Sequence, residues 1–329
     1  MRKKLLLIIN PRSGTRQRDA LPEMVREMTE RTGEELMIRS TTGPEDAHKF
    51  AREAVEEGIS RVIVAGGDGT VNEVASALSF TSVTLGIIPC GSGNGLARSL
   101  GIPSDFKKAV EIIERDYQII IDRGEVNGRP FFCAFGMGFD ATVSQKFASE
   151  KRRGKMTYVK NALQEYLKYN SEVYALSVDG KIIAERAMLV AVCNASQYGN
   201  NAYIAPEASL SDGMLDITLI HDGSPLLQAI AGIQLMSGHL DKNLLVDTFR
   251  VSKAELSRLN EGPVHIDGEP LMMGKKFIVE CRSNALRVIA SSEIEKPFKP
   301  VATPFKLMIQ DIGNDIRADL TELLENIKR

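Results

Sequence analysis

Short apolar runs and longer amphipathic stretches alternate through the first third of the chain. Residues 5–9 and 62–65 are continuous runs of Leu, Ile and Val, the pattern of strands buried on both faces. Between them Leu21, Met24, Val25 and Met28 recur at helical spacing over 21–32, residues 35–39 read as a strand, and 45–57 as a second helix. A strand near 85–89 and a helix over 104–115 follow. This strict alternation predicts a parallel, doubly wound sheet. The pattern changes near 119–121. From 122 to about 290 short segments dominate, at 123–126, 131–135, 174–178, 188–194, 215–220, 243–251, 264–267 and 276–280. Asn127-Gly128 and Asp179-Gly180 separate pairs of them, a strong hairpin signal. The expectation is an antiparallel β domain, interrupted by one helical passage over about 142–169.

Two glycine-rich turns punctuate the α/β part. Gly66-Gly67-Asp68-Gly69 ends the strand at 62–65, and Thr70 with Glu73 three residues on has the spacing of a capping box at a helix start. After the strand at 85–89, Gly91, Gly93 and Gly95 surround Ser92 and Asn94. Strand, glycine turn and helix start together make a phosphate-binding arrangement. Glycines let the backbone approach an oxyanion, and free N–H groups at the helix start donate to it. Consecutive βα units set both turns at the carboxyl ends of neighbouring strands, where open α/β sheets bind ligands. A carboxylate inside such a turn repels phosphate unless a cation such as Mg2+ stands between them, so Asp68 points to a metal-assisted site. An ordinary βα turn with Asp as a turn residue is the plainer alternative.

Taken with Asn10-Pro11-Arg12-Ser13-Gly14, Gly136-Met137-Gly138-Phe139-Asp140-Ala141, Ser211-Asp212-Gly213-Met214-Leu215-Asp216 and Ile266-Asp267-Gly268-Glu269, these turns resemble the catalytic domain of the diacylglycerol kinase and sphingosine kinase family. The resemblance is to bacterial lipid kinases in particular and runs over roughly residues 4–290. It implies an α/β chain: an N-terminal doubly wound α/β nucleotide-binding domain over 1–121, an antiparallel β-sandwich for the lipid over 122–290, and the active site in the cleft between them; residues 291–329 read by their own prolines and apolar spacing as a C-terminal linker and helix. It implies a nucleotide site at Asn10, Thr41, Gly66, Gly67, Asp68, Gly69, Thr70, Asn72, Gly91, Ser92, Gly93 and Asn94, with ATP and Mg2+ as cofactors. The implied reaction moves the γ-phosphate of ATP to the hydroxyl of a diacylglycerol-like or sphingoid lipid. Glu269 is the implied general base, in a stretch whose composition alone reads as a hairpin turn. Sphingosine kinases usually take the Asp of the first loop as base, so Asp68 stands as the alternative. A second, non-catalytic Mg2+ is implied at the Asp212 side chain with the carbonyls of Ser209 and Met214, against a plain Asp-Gly turn. The rivals are another kinase of the superfamily, such as an NAD kinase, and a non-catalytic nucleotide- or lipid-binding regulator. Neither a G-x-x-x-x-G-K-[ST] loop nor the protein-kinase motif set is present. Gly136–Ala141 formally fits a dinucleotide fingerprint, but among antiparallel strands it lacks the βαβ unit that gives the fingerprint meaning.

Composition narrows the partners. The 329 residues are 43% hydrophobic and 26% charged with a formal net charge of -2, which argues against nucleic acid. No apolar run spans a bilayer and the first residues lack a signal-peptide pattern, so the expectation is a cytoplasmic protein meeting its lipid at the inner membrane surface. Arg12, Arg16 and Arg18, and the group Lys146, Lys151, Arg152, Arg153 and Lys155, offer cations to phosphate or anionic head groups, or are simply solvated. The four cysteines and four histidines show no metal-ligand spacing. In the tail, Ile309, Ile312, Ile316, Leu320, Leu323, Leu324 and Ile327 share a helical face. That face can pack on the first domain, pair with a second copy in a homodimer, or lie on a membrane; mixed charge opposite it weakens the last reading.

Overall fold

A computed structural model describes residues 3–14, 19–149, 169–178 and 180–292. Strands β1 (Lys4–Ile9), β2 (Glu35–Ser40), β3 (Arg61–Gly66) and β4 (Thr84–Pro89) pair in parallel in the order β2-β1-β3-β4. Their connections are helices α1 (Leu21–Thr32), α2 (Asp46–Glu56) and α3 (Asp68–Leu78), with α4 (Gly95–Ser99) and α5 (Phe106–Arg115) after β4. Leu5, Leu6, Leu7 and Ile8 are all at or below 1% exposed, so both faces of β1 are covered. Full burial of such a side chain contributes roughly 1.5–3 kcal/mol, which suits this run to an inner strand of the parallel set. The chain runs from β1 outward to β2 and then returns to the other side of β1 for β3. The order therefore reverses between β1 and β3, and a crevice opens at the ends of those strands.

The remaining strands are β5 (Gln118–Val126), β6 (Arg129–Phe131), β7 (Ala134–Gly138), β8 (Glu172–Val178), β9 (Lys181–Cys193), β10 (Leu215–His221), β11 (Val246–Val251), β12 (Lys253–Arg258), β13 (Gly262–Ile266), β14 (Glu269–Met273) and β15 (Lys276–Ile289). Apart from one parallel contact of β15 with β4, they pair antiparallel. Phe131, Phe135, Tyr174, Phe277 and the alternating residues of β9 and β10 form their core. The hairpins expected at Asn127-Gly128 and beside Gly180 join β5 to β6 and β8 to β9.

Several expected elements change. The strand expected at 131–135 splits, because the N–H groups of Phe132, Cys133 and Ala134 turn to the Asp267 carboxylate. The strand expected at 276–280 continues to Ile289 past a register shift between Arg282 and Leu286. Beyond the shift, Val288 pairs in parallel with Leu85, and Leu286, Val288, Ile289 and Ala290 join the first core. The strand expected at 243–251 begins at Val246, after a short 3-10 turn at Leu240–Lys242. Helix α6 (Phe139–Ser149) starts three residues earlier than expected, and the rest of the 142–169 passage up to 168 lies outside the described residues. Helix α7 (Pro225–Ser237) has no counterpart in the sequence expectation. Its Leu-Leu-Gln-Ala-Ile-Ala-Gly-Ile run is apolar nearly all round, so it shows no helical stripe, although Ser224 and Pro225 open it as a cap and first-turn proline. Residues 293–329, with the amphipathic tail, lie outside the described residues.

Candidate functional site

The carboxyl ends of the four parallel strands each carry one expected residue: Thr41 after β2, Asn10 after β1, Gly66 at the end of β3, and Cys90-Gly91 after β4. Backbone bonds continue the ladder past these ends, from Thr41 N–H to Ile9 O, Asn10 N–H to Ala65 O and Cys90 N–H to Gly66 O. The loops therefore leave the sheet side by side.

Helix α3 begins at Asp68, with Gly67 as its cap in an extended conformation. The expected Thr70–Glu73 capping box does not form. Asn10 Nδ2 donates to Thr70 Oγ1 at 2.8 Å, and Glu73 accepts from the His48 N–H at 3.4 Å, so both side chains are drawn to neighbours. Ser13 Oγ accepts the Gly67 N–H at 3.1 Å and brings the 10–14 turn onto the first glycine loop.

Asp68 ties the two glycine loops together. Its Oδ2 accepts the Asn94 N–H at 2.9 Å and its Oδ1 accepts the Gly95 N–H at 2.7 Å, which caps α4 from outside. Asn94 closes its own loop: its Oδ1 accepts the Gly91 N–H and its Nδ2 donates to the Gly91 carbonyl, each at 2.8 Å. The loops press so closely that a Cβ on Gly91 would lie 2.9 Å from the Gly67 Cα. Asn94, expected at the nucleotide, is 6% exposed and spends its amide inside the loop, whereas Ser92 is open to solvent. Burial pushes the Asp68 carboxyl above its ordinary range, against its backbone hydrogen bonds, which favour the charged form.

From the β domain, the turn Asp267-Gly268 delivers Glu269 onto the first loop. A Cβ on Gly69 would fall 1.7 Å from Glu269 Oε1, so only glycine admits the carboxylate there. Asp267 holds this turn, with positive φ of 48°. Its carboxylate accepts from Asn72 Nδ2 at 2.8 Å and from the N–H groups of Phe132, Cys133 and Ala134 at 2.9, 2.8 and 3.0 Å. Asn72, expected to meet nucleotide, thus joins α3 to the β domain. Asp267 was not among the expected site residues; its sequence signal was an aspartate one step before a glycine in a tight turn, which composition treats as ordinary. Glu269 keeps an exposed face, yet the loops packed around its carboxyl strip part of its water, and this desolvation and then the negative charges of Glu73, Asp267, Asp68 and Glu45 push it above its usual range. So much negative charge facing a glycine loop is what a bound cation would offset. Among the described residues no three His, Cys, Asp or Glu side chains converge as ligands of one ion.

At the Asp212 loop the carboxylate has partners within the protein. Asp212 Oδ1 accepts the Met214 N–H at 3.1 Å, and Oδ2 lies 3.2 Å from Arg250, which also reaches Asp216 at 3.4 Å. Asp122 accepts the N–H groups of Gly213 and Asn284. The Asp212 carboxylate, expected to hold a metal with the Ser209 and Met214 carbonyls, thus has a guanidinium beside it.

The comparisons agree with this layout. Residues 4–126 match the diacylglycerol kinase catalytic domain, and residues 134–290 match the YegS C-terminal NAD kinase beta sandwich-like domain. The chain is 30% identical over 282 residues to a probable YegS-like lipid kinase of Pseudomonas syringae, covering 82% of this chain and 90% of the relative. It is 29% identical over 273 residues to a diacylglycerol kinase of Bacillus subtilis, covering 81% and 90%. A diacylglycerol kinase crystal structure from Bacillus anthracis superposes with a TM-score of 0.68 at 21% identity, over 89% of this chain and 98% of that one, a likeness of fold.

Proposed function

We infer that this chain, which belongs to the diacylglycerol kinase and YegS-like family of lipid kinases, transfers the γ-phosphate of ATP to the hydroxyl of a diacylglycerol-like or sphingoid lipid. The observation that carries the reading is the meeting of Glu269, brought by the β domain, with Gly69 in the glycine loop of the α/β domain. A phosphate bound at the start of α3 would lie beside that carboxylate, where a base could act on an acceptor hydroxyl. Glu269 is exposed, and its raised proton affinity strengthens it as a base. Asp68 already accepts two backbone N–H groups, which supports a bracing part for it over that of base. Mg2+, when bound, would neutralise charge on the transferring phosphoryl group, with Asp68 as the candidate to hold it, directly or through water. A second Mg2+ at Asp212 would have to compete with Arg250 for the same carboxylate.

No helix among the described residues is long and apolar enough to cross a membrane. We place the protein in the cytoplasm, meeting its lipid at the inner membrane surface. The test is transfer of labelled phosphate from ATP, with Mg2+, to mixed micelles of diacylglycerol, phosphatidylglycerol, a sphingoid base or ceramide, with NAD as a parallel acceptor. Label on a lipid that is lost in Glu269→Ala supports the reading. Label on NAD alone, or ATP binding without transfer to any acceptor, refutes it.

A further inference from the structure

Behind the Glu269 turn lies a chain of three side chains from three separate segments, two buried and one half-buried. His265 on β13 and Asp140 at the start of α6 are 2% and 7% exposed, and Tyr198 follows β9. Asp140 Oδ2 lies 3.1 Å from His265 Nε2, and the Tyr198 hydroxyl donates to that same oxygen at 2.6 Å. The other carboxylate oxygen accepts the Ala141 N–H at 2.7 Å. On its far side, His265 Nδ1 faces the Gly268 N–H at 3.4 Å, inside the turn that presents Glu269. The Tyr198 and His265 rings meet edge to face at 5.4 Å. Gly136 lies under this junction. A Cβ there would come within 2.2 Å of His265 Nε2 and 2.4 Å of Asp140 Oδ2, so the Gly136–Asp140 segment makes room for the pair and supplies half of it.

The bonding fixes the imidazole. Acceptance of the Gly268 N–H at Nδ1 calls for the tautomer that carries its proton on Nε2, toward Asp140. The same chain also reaches the loop that follows β4. Tyr198 and its neighbour sit on the second glycine loop: Gly199 forms a β-bridge with Asn94, and the Tyr198 carbonyl lies against Gly95. One bonded path thus runs from the Glu269 turn through His265, Asp140 and Tyr198 to the loop that Asp68 caps.

We propose that His265, Asp140 and Tyr198 are positioning residues that set the Glu269 turn against the second glycine loop. They act through the turn and the loop and do not themselves touch the reacting atoms. The proposal rests on the reading of Glu269 as base. A buried polar cluster serving stability alone would carry the same bonds, and two substitutions of His265 separate the cases. In His265→Asn the side-chain oxygen takes the place of Nδ1 and keeps an acceptor for Gly268, while contact with Asp140 is lost. In His265→Gln the amide reaches Asp140, while the Gly268 acceptor is lost.

The experiment measures kcat and the KM for ATP in the lipid assay for wild type, both His265 variants and Tyr198→Phe, with Tm recorded for each. Shifts of about 1 Å in a supporting group cost on the order of 10²-fold, so kcat is expected to fall by about that factor in His265→Gln. The fall is smaller in His265→Asn and in Tyr198→Phe, and the KM for ATP stays near wild type in both His265 variants. Nitrogen-15 NMR of the imidazoles, assigned by the His265→Asn difference, is expected to show His265 protonated on Nε2 alone. Wild-type kcat in folded His265→Gln, equal losses in the Asn and Gln variants, or a proton on Nδ1 would overturn the proposal. An inactive wild type counts against the kinase reading, and the tautomer measurement still decides the network.

Discussion

Replacing Gly69 by alanine separates the folding of this site from its chemistry. The new Cβ would stand 1.7 Å from Glu269 Oε1 and 2.6 Å from its Cδ, whereas ordinary contact begins at 3.4 Å. The carboxylate oxygen must therefore move by about 1.7 Å (3.4 minus 1.7). The obstructing atoms are the end of an exposed, flexible side chain, so the move costs the fold little. Gly69 lies in the first turn of α3, with φ outside the left-handed region, and alanine favours a helix by up to about 1 kcal/mol over glycine. Tm is expected to stay level or rise slightly. Catalysis responds in the opposite sense. A 1 Å misplacement costs on the order of 10²-fold, or about 2.7 kcal/mol of barrier, and loss of a general base costs about 10²–10⁴-fold. Gly69→Ala should lower kcat for lipid phosphorylation by at least about 10²-fold. The double variant with Glu269→Ala should be no worse than Glu269→Ala alone, since both remove one interaction. The assay is initial-rate phosphate transfer to the best lipid acceptor, beside thermal melting. Full activity in a folded Gly69→Ala protein would refute the placement of Glu269 as base; additive losses in the double variant would show that Gly69 acts by another route.

Three further outcomes follow from the same geometry. Asp267→Asn keeps a side chain that tolerates positive φ but replaces one acceptor oxygen, which serves two donors, by an NH2 group; at about 1–3 kcal/mol per unsatisfied donor, urea denaturation should show a loss of about 2–6 kcal/mol. Glu269 binds its proton more tightly folded than unfolded, so it lowers stability as pH rises from its ordinary value of 4.5 through its raised one. Glu269→Gln should therefore raise Tm at pH 8 but not at pH 4 and abolish turnover, while wild-type kcat climbs with pH through that raised value. Arg250→Ala leaves Asp212 and Asp216 without their shared cation, so Tm should drop and Mg2+ should restore part of it. A wild-type Tm that rises with Mg2+, and does so only while Asp212 is present, would instead support a metal at that loop.

Much of the fold was legible because its signals are local. The apolar runs at Leu5–Ile9 and Val62–Ala65 specify strands covered on both faces whatever surrounds them, and the helices between them carry an apolar stripe. The glycine turns are equally local, since a tight turn and a free helix start need only neighbouring residues. Helix Pro225–Ser237 escaped because an apolar surface all round has no period to read.

Residue types and spacing determined the alternation of the first domain, the change to antiparallel strands, the two glycine loops and the motifs that resemble lipid kinases. What each polar side chain does was decided only by tertiary structure. Asn72 and Asn94 carry the same amide, yet one bonds Asp267 from 195 positions away and the other closes its own loop. Phe131–Phe135 reads as one strand until a carboxylate far along the chain takes its N–H groups. Asp68, Asp267 and Glu269 look alike as acids in glycine turns. Folding makes the first a brace between loops, the second a brace between domains, and leaves the third exposed over the crevice. The physical reason is that a hydrogen bond is won by whichever donor the fold brings within about 3 Å, and sequence separation has no bearing on that distance.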